Sequence, residues 1–239
     1  MKVAVYTAII NPTEPFGIEE NVDKLTLDEK KLGVDCYCFT NNPKLESNKC
    51  KVIKVDMWNE DPVRTARRIK VLPHMFLPDG YDYSIWVDGK VRLHCSPLEI
   101  VKKLSQTGKS LFARKHDKRD CIFQEANTLV GLASTSNYKD DPSVINAQME
   151  MYKEQGVPEH LGLIASYVLV RNHNNQSLKE CEQIWWEMIS NHSRRDQLAF
   201  PYAAWKTGLD YANIKDTDFH KYFRVSSHRI KNGKIRNVT

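Results

Sequence analysis

The sequence predicts one α/β domain, a mixed and mostly parallel sheet flanked by helices, on three observations. Strand-like runs alternate with helical patterns along nearly the whole chain, which calls for crossover connections and a sheet covered on both faces. The 239 residues are 41% hydrophobic with aromatics throughout, enough to bury a large core without disulfide or metal staples. No internal repeat or low-complexity linker divides them. The domain is therefore expected over residues 1–223, with a loosely held basic tail over 224–239.

In order along the chain, the first strand is expected over residues 2–9, entered directly from Met1. The second, over 35–40, carries Cys36 and Cys38 on opposite faces, because strand side chains alternate. A third follows over 51–55. Asp61-Pro62 then places an acid before a proline of a first helical turn, so a helix is expected over 63–72. Pro73 cannot donate a backbone hydrogen bond and predicts a break there. The strand over 83–87 ends where apolar residues give way to Asp88-Gly89. A helix over 97–105 and a strand over 110–114 come next, then helices over 122–132 and 142–155, the latter opened by Asp141-Pro142. A strand over 162–171 and helices over 178–190 and 197–207 complete the pattern.

A net charge of +5 with 27% charged residues is mildly basic. It suits an anionic small ligand, and the dispersed cations argue against nucleic acid as a partner. None of the cysteines at 36, 38, 50, 95, 121 and 181 has zinc-finger spacing, so they read as reduced core residues of a cytosolic protein. The start has no signal-peptide pattern. Nowhere do about 18 apolar residues run together, so no transmembrane segment is expected, which leaves peripheral membrane contact open.

Asp88 is the leading site candidate. Ligands of open α/β sheets bind beyond the carboxyl ends of strands, and a rigid strand delivers this carboxylate there. Asp-Gly is also a favoured turn dipeptide, which is the competing reading. The helix after Asp61 carries Arg64, Arg67, Arg68 and Lys70, with only Glu60 and Asp61 as nearby acids. On a helical projection Arg67, Lys70 and, if the helix continued, His74 share a face. Either that face is solvated, or its uncompensated cations meet a diphosphate. His116, Arg119 and Glu125 follow another strand end and line either a sugar-sized site or a solvated loop. Asp196 stands beside Arg194 and Arg195 at a helix start, where it caps the helix, accepts a proton from a substrate hydroxyl, or does both.

Taken in order, Tyr6-Thr7, Cys38-Phe-Thr40, Asp61-Pro-Val-Arg-Thr-Ala-Arg67, Lys70-Val-Leu-Pro-His74, Ile85-Trp-Val-Asp-Gly89, His116-Asp-Lys-Arg119, Glu125-Ala126 and Arg195-Asp-Gln-Leu198 resemble a glycosyltransferase-like family. It includes plant hexosyltransferases of wall polysaccharides and bacterial and viral proteins of surface-glycan assembly. The resemblance spans roughly residues 3–205 and implies a GT-A fold that takes a nucleoside-diphosphate sugar, with UDP as one carrier, and usually Mn²⁺ or Mg²⁺. It implies a hexosyl or deoxyhexosyl transfer to a glycan or glycoconjugate acceptor. Strand one (Tyr6, Thr7) and the Phe39-Thr40 segment would receive the base. Arg64, Arg67 and Lys70 would hold phosphate or donor sugar, and Lys90, His116, Arg119, Glu125 and Gln197 are further donor-site candidates.

The usual Asp-x-Asp metal motif reads Asp88-Gly89-Lys90 here, so the second acid is missing. Asp88 would bind the metal with His220 or His228 completing the site, or Lys90 would neutralise phosphate without metal. The family's Gly-Leu-x-Glu-Thr segment appears as Gly162-Leu-Ile-Ala-Ser166, without its acid. In an inverting enzyme Asp196 would be the base; in a retaining one it would hold the donor sugar. A nucleotidyltransferase and a non-catalytic carbohydrate-binding domain are the competing classes.

Overall fold

The computed structural model describes residues 1–11, 27–136 and 138–225 in full, with the backbone of 228–231 and 234–237. Its strands are β1 (Val3–Ile9), β2 (Asp35–Thr40), β3 (Lys51–Lys54), β4 (Tyr83–Val87), β5 (Val91–Leu93), β6 (Leu111–Lys115), β7 (Ile164–Asn172), β8 (Ala212–Ile214), β9 (Phe223–Val225), β10 (His228–Lys231) and β11 (Lys234–Asn237). Its helices are α1 (Glu29–Leu32), α2 (Pro62–Val71), α3 (Pro73–Phe76), α4 (Pro97–Ser105), α5 (Ile122–Gly131), α6 (Pro142–Glu154), α7 (Gln176–Asn191), α8 (Asp196–Thr207) and α9 (Asp216–Tyr222).

A seven-stranded sheet in the order β3-β2-β1-β4-β7-β6-β8 organises the domain. β1, β2, β3 and β4 are mutually parallel, and β6 is parallel to β8. β7 alone runs antiparallel to its neighbours β4 and β6. The mixed, mostly parallel sheet expected from the alternation is therefore present.

Alternating side chains divide the core. Tyr6, Phe39, Trp86 and Leu169 meet α2, α7 and α8 on one face. Val5, Cys38, Ile85 and Val168 meet α4 and α9 on the other. A third cluster joins α5, α6 and α8 through Leu129, Tyr152 and Tyr202. The cysteines are free thiols, and all but Cys95 are buried.

Local chemistry sets the boundaries near the site. Asp61 accepts the Arg64 N–H at 2.9 Å to open α2, and Asp141 accepts that of Ser143 at 2.8 Å to open α6. α2 stops at Leu72 and Pro73 begins α3, the break the proline predicts. β9 runs across residue 223: Arg224 and Val225 pair with Arg92 and Val91, so the chain after Phe223 is tied to the domain at its start. Strands this short carry too little alternation to be read from sequence.

Candidate functional site at the carboxyl edge of the sheet

β1 has parallel neighbours on both sides: the chain steps from β1 to β2 and β3 on one side, then crosses back from β3 to β4 on the other. That reversal opens a crevice beyond the carboxyl ends of β1 and β4. β4 delivers Asp88 to it, with the Asp88 N–H donating to Tyr167 O at 2.9 Å. The turn reading is correct as well, since Val91 N donates to Asp88 O at 2.8 Å and starts β5. The Asp88 side chain is 29% exposed. Its Oδ1 accepts Trp86 Nε1–H at 2.8 Å and lies 3.7 Å from Lys70 Nζ.

Beneath Asp88 lies a buried ion pair. Lys70 Nζ donates to Asp196 Oδ2 at 2.7 Å and to Ser166 Oγ at 2.9 Å. Ser166 Oγ donates in turn to the same carboxylate oxygen at 2.7 Å. Lys70 and Asp196 are 1% and 2% exposed at the side chain, and Arg67 Nε stands 3.5 Å from Asp196. Burial pushes the Asp196 carboxyl up, but Arg67, Lys70 and Arg195, with the hydrogen bond from Lys70, outweigh it and hold the group far below the usual carboxylate range. A carboxylate in that state is a weak base. Nor does its side chain cap α8: Asp196 is the helix's first residue, Arg195 occupies the cap position without a side-chain bond, and the carboxylate turns inward.

Several expected contacts are replaced by internal ones. Lys70, expected to face the cleft, spends its protons on Asp196 and Ser166. Arg64 is not free for phosphate, because Nε donates to Ile189 O at 2.9 Å, Nη2 to His192 O at 2.7 Å and Nη1 to Asp61 at 2.7 Å, clamping α2 to the end of α7. Tyr6 cannot receive a base: it is fully buried, its hydroxyl donates to Lys70 O at 3.0 Å, and Arg171 Nη1 donates to it at 2.7 Å. Thr7 and Thr40 are also fully buried, and Thr40 Oγ1 accepts Asn42 N at 3.1 Å. His74 does not join Lys70; its Nδ1 lies 3.1 Å from Glu182, which also pairs with Arg171 at 2.9 Å.

Other candidates do gather at this edge. Arg119 Nε meets Glu125 at 2.5 Å, and His116 Nε2 stands 3.9 Å from the same oxygen. Glu125 is buried, so this trio is an ordered cluster rather than a solvated loop. Lys90 Nζ sits 5.2 Å from the centre of the Tyr167 ring. Gln197 bridges Arg195 Nη2 at 2.7 Å and Ile164 O at 3.1 Å. His220 is exposed on α9, and the His228 side chain lies outside the described residues. Among the described residues, Asp88 and His220 form no cluster of metal-ligating side chains. Asp88 alone still fits a hard cation, because Oδ1 takes both of its contacts here and such an ion needs few protein ligands beside phosphate oxygens and water.

Two features of the edge were not singled out from the sequence. Ser166 joins the ion pair; its only sequence signal is that it stands at the hydroxyl position of the Gly162-Leu-Ile-Ala-Ser166 segment. Arg68 lines a cavity of about 810 Å³ with Asn41, Lys54, Val55, Asp56 and Phe76, at the ends of β2 and β3. The buried Nε atoms of Arg67, Arg68 and Arg195 have no hydrogen-bond partner. A buried guanidinium N–H without a hydrogen-bond acceptor is uncommon, and of the three only Arg67 Nε faces a carboxylate, Asp196 at 3.5 Å.

The sequence matches the family described as TOD1/MUCI70, glycosyltransferase-like domain, over residues 28–228. The chain belongs to that family. One TOD1/MUCI70 relative is the probable hexosyltransferase MUCI70 of Arabidopsis thaliana, 27% identical over 180 residues that cover 65% of this chain and 28% of that one. The chain thus spans little more than a quarter of that relative's length. Among solved structures, core-mannan synthase A of Aspergillus fumigatus in its Mn/GDP form superimposes with a TM-score of 0.51 at 10% identity, covering 94% of this chain and 74% of that one. The mannosyltransferase Ktr4p of S. cerevisiae gives 0.49 at 9% identity, covering 95% and 71%. The likeness to the Aspergillus structure shows a shared GT-A-like fold for this TOD1/MUCI70 domain.

Proposed function

We propose that this domain transfers a hexosyl or deoxyhexosyl group from a nucleoside-diphosphate sugar to a hydroxyl of a glycan or glycoconjugate acceptor. The observation that carries the reading is the grouping at one sheet edge of Asp88, the guanidinium groups of Arg67, Arg68 and Arg195 with unpartnered buried N–H atoms, and the open cavity beside Arg68. Membership in a glycosyltransferase-like family supports it. In this reading the cavity takes the nucleoside, with Phe76 as its apolar wall and Asn41 as a polar one, while Arg67, Arg68 and Lys90 meet the diphosphate.

Asp88 would hold Mn²⁺ or Mg²⁺, which when bound supplies positive charge to the departing nucleoside diphosphate. Departure leaves negative charge on that group, and preorganised cations are the catalytic contribution of this edge. Asp196 then works as the counter-ion that fixes Lys70 behind Asp88. Its low basicity favours a donor-side role over the general-base role of an inverting mechanism. The Arg119–Glu125–His116 cluster faces sugar or acceptor hydroxyls. The domain proper takes in residues 1–223, and β9 carries it a short way further.

The test is titration of the protein with nucleoside diphosphates, with and without Mn²⁺, for the parent and Asp88→Asn. Metal-dependent binding in the parent and its loss in a folded variant are expected. Metal-dependent binding that survives Asp88→Asn undiminished would remove Asp88 from the site. Product analysis with a nucleotide sugar separates glycosyl transfer from nucleotidyl transfer, and failure to turn over any such donor favours a binding module.

A further inference from the structure

Next to the Arg119–Glu125–His116 cluster, the loop between β6 and α5 meets the loop that leads into β7. Cys121, at the N-cap of α5, Glu159 and His160 bring one ligand atom each to within 4.8 Å of one another. The three come from segments nearly forty residues apart, joined there by Gly162 N donating to Asp120 O at 2.8 Å. His160 Nδ1 lies 2.7 Å from Asp120 Oδ1. With the proton on Nδ1, that contact orients the ring and leaves Nε2 as the ligating nitrogen, 3.8 Å from Glu159 Oε2. A carboxylate behind a histidine is how proteins commonly orient an imidazole toward a metal.

We propose that Cys121, Glu159 and His160 form a site for a borderline divalent transition metal such as Zn²⁺, separate from the Mn²⁺ or Mg²⁺ proposed at Asp88. A sulfur, nitrogen and oxygen donor set suits zinc, whereas magnesium and calcium require oxygens. Zinc–ligand distances of about 2.0–2.3 Å imply ligand-to-ligand edges of about 3.3–3.8 Å. Glu159 and His160 are 71% and 52% exposed at the side chain, so both can rotate the remaining distance toward the fixed, buried thiol. Their exposure also leaves the fourth position to water. Such an ion would staple the loop that carries His116 and Arg119 to the one that leads to Ser166.

The experiment is Co²⁺ and Zn²⁺ titration of the untagged, full chain carrying Asp88→Asn, which isolates this site. One equivalent of Co²⁺ producing a thiolate-to-cobalt charge-transfer band, displaced by Zn²⁺, is expected. Cys121→Ser abolishes the band, and Asp120→Ala, which removes the acceptor behind the ring, lowers Zn²⁺ affinity about 10–100-fold. Should Cys121→Ser fail to fold, the exposed variant His160→Ala gives the same reading through lost Zn²⁺ affinity. Absence of the thiolate band, or parental Zn²⁺ affinity in His160→Ala, overturns the proposal.

Discussion

Lys70→Met replaces a buried ammonium with an apolar chain of similar length, and it separates an internal counter-ion from a phosphate ligand. Lys70 is 1% exposed and lies 2.7 Å from Asp196, itself 2% exposed. Removing one partner of such a pair strands the other charge and costs about 3–5 kcal/mol. Arg67, 3.5 Å away, and Arg195 still face the carboxylate, so the loss falls toward the lower end of that range. At about 2–4 °C per kcal/mol for a chain of this size, the variant melts roughly 6–20 °C below the parent. Denaturant unfolding of the parent, Lys70→Met, Asp196→Leu and the double variant completes the cycle. The double variant is expected to regain at least half of the single-variant loss, because an apolar pair leaves no buried charge. A single-variant loss below about 1 kcal/mol, well under the cost of breaking a buried pair, refutes the buried pair and returns Lys70 to the cleft.

Arg64→Ala removes three hydrogen bonds, two that clamp α2 to the end of α7 and one to Asp61; it should cost about 2–3 kcal/mol, within the range for losing bonds to a charged group, while nucleotide affinity of the folded fraction stays within twofold by calorimetry. His173 is held near neutral by burial, then by Arg171, His74 and Lys179, which bring its pKa down to about 4. The unfolded chain binds this proton more readily, so stability is fully present above about pH 6.5 and is lost as pH falls toward 4, by up to about 3 kcal/mol. His173→Asn should flatten that part of the unfolding-versus-pH curve, and an unchanged slope would place the titration elsewhere.

Local signals settled the elements. Proline after an acid set the starts of α2 and α6, Pro73 set the break before α3, and apolar alternation placed β1, β2, β4, β6 and β7 within a residue or two. The end of β4 also marked Asp88, since a carboxylate following an apolar strand is visible without any partner. The direction of β7 was not visible, because strand direction depends on how a chain returns to a sheet, and the long connection before β7 allows either. β5, β8 and β9 are three residues each and exist through pairing, not through their own pattern.

The fate of the charges on α2 was the part that only tertiary structure decided. In sequence, Arg64, Arg67, Arg68 and Lys70 have Glu60 and Asp61 as their near acids, and all four read as free cations. Folding gives Lys70 an acid from 126 residues away and Arg64 two carbonyls at the end of α7, sets Arg67 beside the same acid at 3.5 Å, and leaves the Arg68 Nε–H without a hydrogen-bond acceptor. Helical spacing fixes which side chains share a face. Whether that face meets a carboxylate, a carbonyl or an open cavity depends on what packs against it, and long-range packing carries no local signature.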